Sequence, residues 1–141
     1  MDLSKHVGYM IKCIGDKMNA RTTRRLKKFG LTMSQFCALS YIYEHGGVST
    51  QKDIEKYFDI SHPTVVGVVA KLEQNGYLTC SVGKEDHRFK VLTLTEKGKE
   101  IGQKLLEELA YYQNVLTADL SPSQIEALGE ALAIVYKNLE D

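Results

Sequence analysis

Residues 59–95 read DISHPTVVGVVAKLEQNGYLTCSVGKEDHRFKVLTLT, and this stretch decides the fold. Ser61 opens a short helix of about four turns, and Asn75-Gly76 closes it. Tyr77 to Val82 and Arg88 to Thr95 then read as strands, with Leu92 and Leu94 on one face and Phe89, Val91 and Thr93 on the other. The tip between them, Gly83-Lys84-Glu85-Asp86, has the composition of a turn. Two strands alone are marginal in water, so the hairpin must lean on the helices around it.

Working outward, Thr32-Met33-Ser34-Gln35 matches a capping box, in which a hydroxyl and a Gln side chain satisfy orphan backbone donors. The helix it opens carries Phe36, Leu39, Ile42 and Tyr43 and stops at Gly46-Gly47. Thr50-Gln51-Lys52-Asp53 reads as a second box, leading into Ile54, Tyr57 and Phe58, and Asp59-Ile60 connects directly to Ser61. A short helix, a tight turn and a second capped helix make a helix-turn-helix, and the hairpin after it makes a wing. The expected class is mainly α with a small β-hairpin wing (α+β).

Advancing about 100° per residue along Ser61–Asn75 places Val65, Val68, Val69 and Leu72 on one face, which must be buried. The opposite face carries Pro63, Gly67, Ala70 and Gln74, edged by Val66 and Lys71, and is small and smooth. So many β-branched residues are poor helix formers, so tertiary packing must hold this helix.

On the N-terminal side, residues 3–29 carry Val7, Met10, Ile11, Ile14, Met18 and Leu26 at helical spacing, ended by Gly30. Arg21, Arg24, Arg25, Lys27 and Lys28 cluster in its last turns, where cations also suit the negative end of the helix dipole. After the wing, Thr95 caps a helix reaching about Thr117, with Ile101, Leu105, Leu109, Tyr112 and Leu116 as a stripe. Ser121-Pro122-Ser123-Gln124 opens a last helix striped by Ile125, Leu128, Leu132, Val135 and Leu139. These two are expected to pair antiparallel.

Residues 32–95 therefore read as one domain, and residues 1–31 and 96–141 as a helical dimerisation region whose stripes lack a partner within the chain. A two-fold dimer would set the two recognition helices roughly 34 Å apart. The alternative is a monomer whose terminal helices fold back onto residues 32–95.

A length of 141 residues with 43% apolar content supports a core. No apolar run approaches the ~18 residues of a membrane span, and the N-terminus lacks a signal-peptide layout, so a soluble, cytoplasmic protein is expected. Cys13, Cys37 and Cys80 are odd in number without CxxC spacing, which argues against disulfides and structural zinc. His6, His45, His62 and His87 are scattered, so no metal or other cofactor is expected. Neither a phosphate loop nor a nucleophile elbow nor HExxH is present, which speaks against an enzyme. The formal charge of zero hides an asymmetry: residues 1–95 carry 14 Lys+Arg and 9 Asp+Glu, residues 96–141 carry 4 and 9. A basic face on the first part is compatible with nucleic acid, and with an ordinary solvated surface.

The ordered segments Gly30-Leu31-Thr32, Gln35-Phe36 and Leu39; Gln51-Lys52-Asp53-Ile54; Ile60-Ser61 through Thr64-Val65, Val69 and Leu72-Glu73; Gly76-Tyr77-Leu78; and Asp86-His87-Arg88 before Leu94-Thr95-Glu96-Lys97-Gly98 resemble the MarR family of transcriptional regulators. The resemblance implies a homodimer on palindromic double-stranded DNA, with the helix from Ser61 in the major groove. It also implies that Arg88 reaches the neighbouring minor groove and that Asp86 stabilises the wing. It further implies a repressor released by a small, often phenolic, anion or by an oxidant. The residues assigned to DNA are Ser61, His62, Pro63, Thr64, Val66, Gly67, Lys71, Lys84, His87 and Arg88.

The chain departs from the family pattern at Val66, where a hydroxyl is common, and at Cys80 and Ser81, where basic residues are common. These losses remove phosphate donors and shift the expected reading toward thymine methyls and minor-groove shape. The family's peroxide-sensing position falls near Val7 rather than Cys13, which is expected to be a buried, inert thiol. Cys37 and Cys80 read as packing residues. Tyr41, Tyr43, Tyr111 and Tyr112 suit either an aromatic or anionic effector's pocket or the core and dimer interface. A winged-helix dimer docking a protein partner on the smooth face is the competing function.

Overall fold

The computed structural model describes residues 2–84 and 90–140. The element order is α1 (Val7–Leu26), α2 (Met33–Glu44), β1 (Val48–Thr50), α3 (Gln51–Phe58), α4 (His62–Gln74), β2 (Leu78–Val82), β3 (Lys90–Leu94), α5 (Glu96–Leu116) and α6 (Pro122–Asn138). Short 3-10 turns precede and follow α1, at Leu3–Lys5 and Lys27–Phe29.

The chain divides into two compact units, Met1–Leu105 and Leu106–Asp141. In the first, Leu39, Ile42, Ile54, Val65, Leu72, Leu78, Leu92 and Leu105 are essentially withdrawn from solvent and form the centre of the core. Burial of side chains of this size contributes about 1.5–3 kcal/mol each. Every element from α2 to the start of α5 supplies at least one of them or pairs in the sheet.

The capping boxes expected at Thr32 and Ser121 both form, with Gln35 and Gln124 as their return partners. At Thr50 only the forward bond is made among the described residues: the Asp53 N–H donates to Thr50 Oγ1 at 3.1 Å. Asp, one methylene shorter than Glu, does not close the box. Ser61 precedes α4 as expected, yet its hydroxyl makes no cap bond and pairs instead with Thr64 Oγ1 at 2.8 Å.

The hairpin also differs from expectation in having a third strand. Short β1 pairs antiparallel with β3, giving the order β1-β3-β2, with Ser49 opposite Leu92 and Cys80 opposite Leu92 on the other side. The wing thus rests on a sheet edge supplied by the segment between α2 and α3. Leu92 and Leu94 face the core, as their alternation predicts.

Thr95 joins the wing to α5. Its hydroxyl accepts from the Gly98 N–H at 3.1 Å and donates to the Gly76 carbonyl at 2.6 Å. In the second unit α6 has no buried residue, and Ile125, Leu128, Leu132, Ile134, Tyr136 and Leu139 are exposed. On α1, Val7, Tyr9, Met10, Ile11 and Ile14 are likewise exposed, while Leu26 is buried. No helix among the described residues is long and apolar enough to cross a membrane.

Candidate nucleic-acid interface

Helix α4 is divided as the sequence predicts. Val65, Val69 and Leu72 are buried and Val68 half-buried, whereas Pro63, Thr64, Val66, Gly67, Ala70, Lys71 and Gln74 are exposed. The core grips the valine side, which offsets weak helix propensity and leaves the opposite side to solvent.

Both ends of α4 are fixed. At the start, Asp59 takes a left-handed conformation (φ 51°), and the Ile60 N–H donates to the Glu55 carbonyl at 3.1 Å, closing the α3–α4 turn. Glu55 also bonds the His62 ring, its Oε1 lying 2.5 Å from Nδ1. At the far end Gly76 adopts φ 81° and the Tyr77 N–H reaches back to the Leu72 carbonyl at 2.9 Å. Such left-handed caps favour glycine because no Cβ collides with the carbonyl. Lys97 donates to the Asn75 carbonyl at 2.8 Å and lies over the Tyr77 ring, placing a cation at the negative end of α4.

Glu73 reaches across to β2, where its Oε2 accepts from the Cys80 N–H at 2.9 Å. Burial, then the hydrogen bond to Glu73 and its negative charge, push the Cys80 thiol up to about 11, with Lys90 pulling weakly the other way. Burial also raises Cys37. Cys80 packs against the core as expected, and Cys37 is half-buried. Cys13 is half-buried rather than buried, because the surrounding part of α1 is exposed. Its thiol, one turn along the helix from Tyr9, raises that phenol.

A pH dependence follows for Cys80. Its raised value means that the folded chain retains the proton while the unfolded chain loses it from about pH 9. The stabilisation is complete below that and disappears as pH rises to about 11. Alkylation of Cys80 by iodoacetamide should be slow at neutral pH, rise about tenfold per pH unit, and be faster in Glu73→Gln. A rate flat between pH 7 and 10 would contradict this protonation state.

Lys71, Lys84 and Lys90 are exposed cations of α4 and the wing. Lys90, beside Val82 in the strand register, was not singled out by sequence because it continues the β3 alternation. Glu55, Glu73 and Lys97 were missed because their partners lie seven to twenty-two residues away across turns. Asp86, His87 and Arg88 lie outside the described residues. Tyr43 is occupied, packing on Gly102 and donating to Gln103 Oε1 at 2.6 Å, while Tyr41 stacks on His45 and touches Tyr57 and Phe58.

The sequence model of the MarR family matches residues 29–88, from the turn after α1 to just before β3. Among relatives, the HTH-type transcriptional regulator YfiV of Bacillus subtilis is 30% identical over 114 residues, covering 81% of this chain and 71% of its own. The chain belongs to the MarR family. YwoH of the same organism, another HTH-type transcriptional regulator, is 28% identical over 125 residues, covering 89% of this chain and 90% of its own.

Two similar solved MarR-type structures contain DNA. The S. aureus MepR–DNA complex is 25% identical with a TM-score of 0.84 over 94% of this chain and 96% of MepR. A MarR-family regulator from Listeria monocytogenes complexed with 26mer DNA is 25% identical with a TM-score of 0.83, covering 96% of this chain and 89% of the other. This MarR-family protein is a DNA-binding transcriptional regulator with a winged-helix fold, and its family and relatives are regulators rather than enzymes.

Proposed function

We propose that this regulator is a cytoplasmic homodimeric repressor that binds a palindromic operator and is released by a small aromatic or anionic effector. Residues 32–95 form the DNA-binding domain in this reading, and residues 1–31 with 96–141 the dimerisation region. Helix α4 enters the major groove through Ser61, His62, Pro63, Thr64, Val66, Gly67 and Lys71. The wing supplies Lys84, His87 and Arg88, with Asp86 stabilising it.

The observation that carries the groove assignment is the division of α4 into a buried valine face and an exposed face of small side chains. A helix fits the major groove closely when nothing bulky stands between its backbone and the base edges. The DNA-bound relatives support the same partner. Dimerisation is supported by the exposed apolar residues of α1 and α6, too many for a solvated surface. An anionic effector is supported only by charge: Arg21, Arg24, Arg25 and Lys28 border an open surface hollow at the end of α1.

Selection of bound sequences from random DNA is expected to recover a palindrome with half-site centres about 10 base pairs apart, with two chains per site. Affinity should fall roughly 10³- to 10⁵-fold between about 50 and 200 mM salt, as for neutralisation of about six to ten phosphates. No enrichment at low salt would overturn the proposal in favour of a protein-docking winged helix, whose apolar interface loses little to salt.

A further inference from the structure

We infer that Glu55 and His62 act as a specificity-determining pair: Glu55 holds the His62 imidazole so that its Nε2 accepts a hydrogen bond from the exocyclic amino group of one operator base, adenine N6 or cytosine N4. The inference rests on the proposal that α4 enters the major groove, and it assigns one contact within it.

His62 is the first residue of α4, and its side chain is 70% exposed, whereas that of Glu55 on α3 is only 21% exposed. Nδ1 of the ring lies 2.5 Å from Glu55 Oε1. An ionised carboxylate has no proton to give, so Nδ1 must carry the hydrogen in this pair. In the neutral ring that leaves Nε2 as a bare acceptor, on the side of the imidazole away from the carboxylate. The Glu55 backbone is fixed, since its carbonyl closes the α3–α4 turn by accepting from Ile60, and its side chain is mostly withdrawn from solvent.

The chemistry of the remaining face makes this acceptor important. Pro63, Val66, Gly67 and Ala70 have no side-chain hydrogen-bonding group, the Thr64 hydroxyl is engaged by Ser61, and the polar Lys71 and Gln74 lie more than two turns beyond His62 along α4. N-terminal residues of a recognition helix are the ones that reach base edges. In the major groove, adenine N6 and cytosine N4 are the donors a lone acceptor can discriminate. Glu55 is thus a positioning residue, acting through His62.

The test is operator selection in mildly alkaline buffer with the full chain and its E55A, E55Q and H62A variants, each with a thermal melt. The wild type is expected to restrict one position per half-site to the base presenting an amino group. E55A and H62A should both relax that position, by about five- to tenfold in discrimination, and leave the rest of the motif intact. E55Q, whose amide oxygen still accepts from Nδ1–H, should retain the preference. A mere staple between α3 and α4 would instead lower affinity equally for all sequences, which overturns the inference. H62A, at an exposed position, decides the matter even if E55A melts early: an unchanged motif in H62A also overturns it. A wild type that enriches no motif overturns the groove proposal and this inference together, whereas a motif unaltered by the variants overturns the inference alone.

Discussion

Gly98→Ala should lower the thermal midpoint of this protein by about 10 °C or more, the loss expected from roughly 3 kcal/mol of overpacking. A Cβ built on Gly98 would stand 2.0 Å from the Tyr77 carbonyl oxygen, 3.0 Å from its carbon and 3.2 Å from Leu94 Cδ2. The nearest atoms are backbone, so no rotamer change relieves the clash. That carbonyl also accepts from the Thr95 N–H at 3.1 Å, and Thr95 in turn caps α5 and bonds Gly76. Displacing it therefore disturbs the junction of α4, the wing and α5 at once.

Gly102→Ala should cost less although its Cβ would meet the Tyr43 ring at 2.4 Å, since a side chain has more freedom to shift than a carbonyl. Gly129→Ala, with nothing of its own chain within 4 Å, adds a Cβ that only a partner chain could meet, so in the isolated chain it should be neutral or stabilise α6 by about 0.5–1 kcal/mol. Calorimetric melts of the three variants check the ordering. A Gly98→Ala midpoint within about 2 °C of wild type would show that α5 does not approach Tyr77 this closely.

Gly98 stood in the sequence only as the last residue of a family-like segment and Gly102 not at all, so neither clash was legible, and the reason is general. Gly98 and Gly102 sit in a helix where glycine looks merely unfavourable, and only the position of a neighbour distant in sequence reveals the need for a missing Cβ. By contrast, the face of α4 was legible because burial repeats with the helical period, so Val65, Val69 and Leu72 declared themselves without tertiary information. The caps at Thr32, Thr95 and Ser121 were legible because both partners lie within four residues. Strand β1 was not, because Val48-Ser49-Thr50 is too short to show alternation and exists through its pairing with β3.

The same distinction separates the parts of the candidate interface. His62 was visible as a polar residue at the start of α4, but the carboxylate that orients its ring lies on the preceding helix, across a turn. The exposed apolar residues of α1 and α6 were readable as stripes. Their exposure was not, because periodicity says which side chains share a face and nothing about whether the same chain covers it.

Ala70→Glu should weaken operator binding by about 10² or more while leaving the fold intact. Ala70 is exposed in the middle of the smooth face of α4, between Val66 and Gln74, and glutamate is nearly as good a helix former as alanine. With the face free, the longer side chain meets no neighbour and the melt should stay close to wild type. In the groove it carries a negative charge toward the phosphates and the acceptor-rich base edges. Like charges brought together at an interface cost several kcal/mol, and each 1.4 kcal/mol is about tenfold in affinity. Ala70→Gln separates charge from size, because it has the same length without the charge and should lose much less. Part of the Glu deficit should also shrink as salt is raised, whereas a steric deficit would not. Titrations of the recovered operator with both variants at two salt concentrations provide the comparison. Equal losses for Glu and Gln would mean that the groove excludes any side chain at this point, and wild-type affinity for Ala70→Glu would place the DNA on another surface of the protein.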